Sequence, residues 1–133
     1  MSGLDTSVLV RWLIDDDHRQ SGRVQKVFES ARDSETQLFV PDTVMLELEW
    51  VLRARYGFDK ASILKALNAL LETHELEFQT EAALERALHF YRQGTADFAD
   101  CFHAGLCSSA DRAPLLTFDE KAAKVPGAQL VNS

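Results

Sequence analysis

Four acidic residues, Asp5, Glu47, Asp100 and Asp119, each stand where an apolar segment meets a helix or a loop, and together they span nearly the whole chain. Hard divalent cations such as Mg²⁺ take oxygen ligands and keep several waters, so a few convergent carboxylates suffice to hold one or two of them. A carboxylate-bound cation of this kind suits phosphodiester hydrolysis. Asp5 follows a very short apolar lead-in, Gly3-Leu4, and precedes the helix-starting pair Thr6-Ser7. An Asp at the carboxyl end of a strand lies at the ligand-binding edge of an α/β sheet. Asp119 follows the apolar run Leu115-Leu116-Thr117-Phe118 in the same way, although an Asp before Glu120-Lys121 also suits simple helix capping.

The elements that must position these acids are read from periodicity and caps. Helices are expected from about Val8 to Ile14, Ser21 to Ala31, Thr43 to Arg55 with Asp42 as its cap, Lys60 to Glu72 with Asp59 as its cap, Thr80 to Gln93, and Ala96 to Ser108. Short strands are expected at Gln37–Val40, Leu76–Phe78, Leu115–Thr117 and Gln129–Val131. Parallel strands need crossover connections, so this alternation predicts an α/β fold of three layers, a short central parallel sheet flanked by helices. Pro41, Pro114 and Pro126 sit singly at element boundaries, and no linker, low-complexity tract or repeat divides residues 1–133, which read as a single domain.

On the Thr43–Arg55 helix, Val44, Leu48, Val51 and Leu52 are read as the buried stripe. At about 100° per residue Glu47 then lies about 40° from Val51 and is pressed toward the core, whereas Glu49 falls on the polar side as a solvated partner of Arg53. Leu46 and Trp50 lie outside that stripe and offer apolar surface for self-association. In Asp97-Phe98-Ala99-Asp100-Cys101, the two acids share a face with small residues, which leaves room for a cation and a phosphate. Asp97 also suits a plain N-terminal cap. The triplet Asp15-Asp16-Asp17 reads as a solvated turn, since adjacent carboxylates repel.

A formal charge of −7 argues against nucleic-acid binding through a broad basic surface, leaving local contacts from Arg11, Arg19, Arg23, Arg53 or Arg55. Cys101 and Cys107 lack ligand-like partners and read as free thiols, and the four histidines have no zinc-like spacing. The apolar stretches fall short of a membrane span, and no signal core is visible near the N-terminus, so a cytoplasmic protein without membrane attachment is expected.

Four segments in order, Leu4-Asp5-Thr6-Ser7, Val44 to Leu52, Asp97 to Ala104, and Leu115 to Asp119, make the chain resemble the PIN-domain ribonucleases, especially the VapC-type toxins of toxin–antitoxin modules. The resemblance implies that Asp5, Glu47 and Asp100 are core catalytic acids, Asp119 a more variable fourth and Asp97 an accessory acid. It places Thr6 and Thr117 at the hydroxyl positions beside them. It further implies metal ligation by Asp5, Asp100 and Asp119, Mg²⁺ or Mn²⁺ as cofactor, an RNA substrate, a homodimer and a cognate VapB-type antitoxin. Two other readings are a catalytically silent PIN-like interaction domain and a Mg²⁺-dependent phosphatase of the haloacid-dehalogenase type, which needs an Asp where this chain has Ser7.

Overall fold

The computed structural model describes residues 2–14 and 16–131. Among them are seven helices and four short strands, a mixed α/β chain in which both strand pairings are parallel. The chain divides into two compact units, residues 1–79 and 80–133. The Asp15 of the acidic triplet lies outside the described residues. No helix among them is long and apolar enough to cross a membrane.

In the first unit the expected lead-in strand is reduced to one parallel bridge between Gly3 and Phe39, with the Leu4 amide donating to the Phe39 carbonyl at 2.8 Å. Two residues cannot extend the ladder because Asp5 already turns the chain into helix α1 (Thr6–Leu13). Helix α2 (His18–Asp33) starts at Asp17, whose carboxylate accepts from the Gln20 amide, so at least this member of the triplet is a cap. Val24, Phe28 and Ala31 recur at helical spacing on its buried face. Phe28 stacks on Trp12 of α1 with ring centroids 3.8 Å apart.

Strand β1 (Leu38–Val40) pairs in parallel with β2 (Leu76–Phe78), Leu38 beside Leu76 and Val40 beside Phe78. The crossover that parallel pairing requires is supplied by α3 (Asp42–Ala54) and α4 (Lys60–Leu71). Asp59 caps α4 through the Ser62 amide as its position suggests, and Ile63, Leu64, Leu67 and Leu70 form the buried stripe. Asp42 does not cap α3. Pro41 holds the cap position and Asp42 is the first helical residue, where its charge faces the positive helix end.

The second unit packs α5 (Glu81–Gln93) against α6 (Phe98–Ser109), followed by β3 (Leu115–Thr117), the one-turn helix α7 (Glu120–Ala123) and β4 (Ala128–Leu130), which is parallel to β3. Gly105 sets how closely α5 and α6 approach, because a Cβ there would meet the Ala83 carbonyl oxygen at 2.9 Å. Gly105→Ala is expected to destabilise the fold by up to about 2 kcal/mol: overpacking against backbone costs about 1–3 kcal/mol, and the better helix propensity of Ala offsets about 1 kcal/mol. Urea denaturation measures this, and an unchanged midpoint would mean that the helices can part freely.

Candidate active site

In the first unit, two acids are tied to one residue. The Asp5 carboxylate accepts from the Thr6 amide at 2.7 Å, and the hydroxyl of Thr6, itself buried, donates to Glu47. Asp5 is the extended residue before α1, so its carboxylate is set by the helix start, and Thr6 links it to α3. Both carboxylates are exposed and border an open cleft of about 400 Å³. Arg11, Trp50, Arg55 and Tyr56 border the same cleft. Of the arginines suggested by sequence as phosphate contacts, Arg11 and Arg55 therefore sit beside the acids, whereas Arg53 is bound to Glu49.

The reading of α3 needs correction. Its buried face is Met45, Leu48, Glu49 and Leu52, with Val44 and Val51 only half-buried, so the buried arc is centred near Met45 and Leu52. Glu49, expected on the polar side, is 5% exposed, and Glu47, expected toward the core, is exposed. Glu49 is nevertheless the partner of Arg53, whose Nε donates to it at 2.8 Å. A buried carboxylate needs such a partner, and the i,i+4 spacing supplies one whose own side chain stays half in water.

The second unit gathers Asp97, Asp100 and Asp119 around an open cleft of about 530 Å³, with Glu120 and Lys121. Asp97 occupies the cap position of α6 but makes no cap hydrogen bond, so capping alone does not account for its carboxylate. Asp100 lies in the first turn of the same helix and is half-buried. Asp119 does cap: it accepts from the Ala122 amide at 3.0 Å, while its own amide donates to the Thr117 hydroxyl at 3.0 Å. Thr117 thus fixes the turn that carries Asp119. Desolvation, then the Asp119 and Asp97 charges, push the Asp100 carboxyl above its ordinary value, and His103 partly opposes them. Lys121 is a residue that sequence reasoning missed; its signal is that Asp119 caps α7, so residues of that single turn border the acid's cleft.

Among the described residues, no three His, Cys, Asp or Glu side chains are grouped tightly enough to enclose a metal ion. The donor chemistry nonetheless fits a hard cation. Mg²⁺ is commonly held by one or two carboxylates with water completing its shell, and the Asp100 carboxyl, raised by desolvation and then by the charges of Asp119 and Asp97, lies among acids of that kind. Neither Cys101 nor Cys107 is in a disulfide, as the sequence suggested, and the four histidines are exposed.

The PIN domain family model matches residues 4–128, so one model runs through both units. A VapC ribonuclease of Aquifex aeolicus (strain VF5) is 25% identical over 101 residues, covering 76% of this chain and 74% of that protein. With a family match over almost its full length, on the segments that carry Asp5, Glu47, Asp100 and Asp119, the chain belongs to the PIN domain family.

Proposed function

We propose that this protein is a metal-dependent endoribonuclease, the toxin of a VapBC-type pair, in which residues 1–133 work as one domain and act in the cytoplasm. The observation that carries the reading is Thr6 holding Asp5 and Glu47 at the mouth of one cleft in a chain of the PIN domain family. Likeness to a VapC ribonuclease supports RNA as the substrate and a VapB-type antitoxin as the partner.

Asp5, Glu47, Asp100 and Asp119 are the catalytic acids in this reading, with Asp5, Asp100 and Asp119 as ligands of Mg²⁺ or Mn²⁺ and Asp97 as an accessory acid. The bound cation supplies Lewis acidity toward water and the scissile phosphate. Thr6 keeps Asp5 and Glu47 from swinging apart, and Thr117 holds the Asp119 turn. Asp100, partly desolvated beside Asp119 and Asp97, would gain a compensating charge from a bound cation. Glu47, whose Oε1 accepts a hydrogen bond from the Thr6 hydroxyl, has its other oxygen to accept one from water.

Incubating purified protein with total RNA in Mg²⁺, in Mn²⁺ and in chelator tests the reading. Cleavage with discrete mapped ends is expected only with a divalent cation, and inertness of the folded protein under all three conditions would defeat it. The exposed Leu116 and Phe118 supply apolar surface for a homodimer, and a concentration-independent monomer in light scattering would count against one.

The two glutamates of α3 separate function from stability. Glu47→Gln is expected to slow cleavage at least about tenfold more than Glu49→Gln, because only Glu47 borders the cleft. Glu49→Gln is expected to cost about 1 kcal/mol of stability, since the buried group loses its charged bond to an arginine that can rehydrate. Side-by-side kinetics and denaturation decide, and equal kinetic losses would contradict the assignment.

A further inference from the structure

Trp50 has no duty in the reaction above, yet 47% of it is exposed on a helix that buries Met45, Leu48 and Leu52 completely. It lies on the Asp5–Glu47 cleft. The Arg55 guanidinium stands over its ring, 5.7 Å from the centroid. Arg55 caps the end of α3, and Tyr56 follows in the same cleft before the chain reverses at Gly57, whose φ of +69° is open to glycine. Arg11, also on the cleft, is braced by Gln20 at 2.7 Å and by Asp16. Two carboxylates thus share a cleft with two guanidinium groups and two aromatic rings.

A cation site alone explains the carboxylates and leaves Trp50 and Arg55 unaccounted for. A polyanion needs the guanidinium groups to approach two carboxylates at all, and an unstacked base needs an aromatic face. Aromatic rings backed by arginine along a phosphate track are how single strands are held with little regard for sequence. We propose that Trp50 is a base-stacking subsite for the nucleotide beside the scissile phosphate, with Arg55 pairing a flanking phosphate. This rests on the nuclease reading and adds a residue that positions substrate without touching the cation.

The test uses an unstructured oligouridylate of about 10 nucleotides, within the span one small single-strand-binding fold covers. In chelator, the Trp12→Phe protein, which retains Trp50 as its sole tryptophan, is expected to lose fluorescence as RNA binds. By anisotropy of labelled RNA, Trp50→Ala is expected to weaken binding about tenfold, with Trp50→Phe restoring most of it. Arg55→Ala is expected to weaken binding and to lower the salt slope by about 0.7, the loss of one single-strand phosphate contact. With Mg²⁺, Trp50→Ala should raise KM about tenfold and leave kcat within about threefold. Quenching without cleavage would support the subsite while removing the nuclease reading. Cleavage by wild type with KM and binding unchanged in Trp50→Ala would overturn the subsite and spare the nuclease. Conversion of a dimer to a monomer by Trp50→Ala, with RNA binding intact, would overturn it in favour of a second copy of the chain on this surface. Absence of both binding and cleavage would overturn both.

Discussion

Asp5→Asn is expected to reduce RNA cleavage by at least about 100-fold and to leave the fold in place. Groups that merely orient a metal ligand typically cost about 10–100-fold when removed, so loss of a charged ligand should exceed that range. The substitution keeps the volume. It also keeps the cap, because Asn serves as well as Asp at a helix start and its carbonyl can still accept from the Thr6 amide, 2.7 Å away in the wild type. The melting temperature should therefore stay within about 2 °C, given that about 1 kcal/mol moves a domain of this size by a few degrees. Steady-state kinetics with Mg²⁺ and a thermal melt on the same preparation measure both. A folded Asp5→Asn protein with undiminished metal-dependent cleavage would remove Asp5 from the site.

Asp100→Asn is expected to move activity and stability in opposite directions. Cleavage should again fall at least about 100-fold through loss of a ligand. The metal-free protein should become more stable, by about 1–3 °C in melting temperature. Desolvation and the neighbouring Asp119 and Asp97 raise the Asp100 carboxyl in the folded state, while in the unfolded chain it has its ordinary value. Between those two values the native protein still holds a proton that the unfolded chain has released, so stability falls as pH rises through that window and stays lower above it. Asn carries no such charge. The advantage of the variant should thus be full at neutral pH and fade as pH falls toward the ordinary carboxylate value near 4. Added Mg²⁺ or Mn²⁺ should stabilise the wild type more than the variant, since a ligand stabilises the state that binds it. Melts of both proteins across pH, with chelator and with cation, test this. A wild-type melt indifferent to cation, alongside a variant no more stable than wild type, would show that Asp97, Asp100 and Asp119 do not act as a cation site.

Features governed by a few consecutive residues were legible in the chain. Asp59 caps α4 because its side chain reaches the Ser62 amide three residues on, a contact set by local geometry alone. The strands at Leu38–Val40, Leu76–Phe78 and Leu115–Thr117 follow from short apolar runs closed by proline or polar residues, and the parallel pairing follows from the helices between them. The family was legible for the same reason: its acids sit in short segments whose order survives translation into a string of letters.

What the chain alone determined, then, is that Asp5 and Asp119 stand at helix starts, and the order of the elements that present the acids. What only the tertiary structure decided is which way each side chain faces. Helical periodicity fixes the angle between Glu47 and Glu49 but leaves the buried arc free to rotate, and that arc is set by what α3 packs against. The arc falls on Met45, Leu48, Glu49 and Leu52, which buries Glu49 against a half-solvated Arg53 and leaves Glu47 to the Thr6 hydroxyl across 41 positions of sequence. The same holds for the cap that Asp97 does not make, for Lys121 beside the acids, and for the Trp50 ring left open under Arg55. Each depends on contacts between elements, where a rotation of a helix by one residue's worth of arc exchanges a buried group for an exposed one, and no local pattern carries that information.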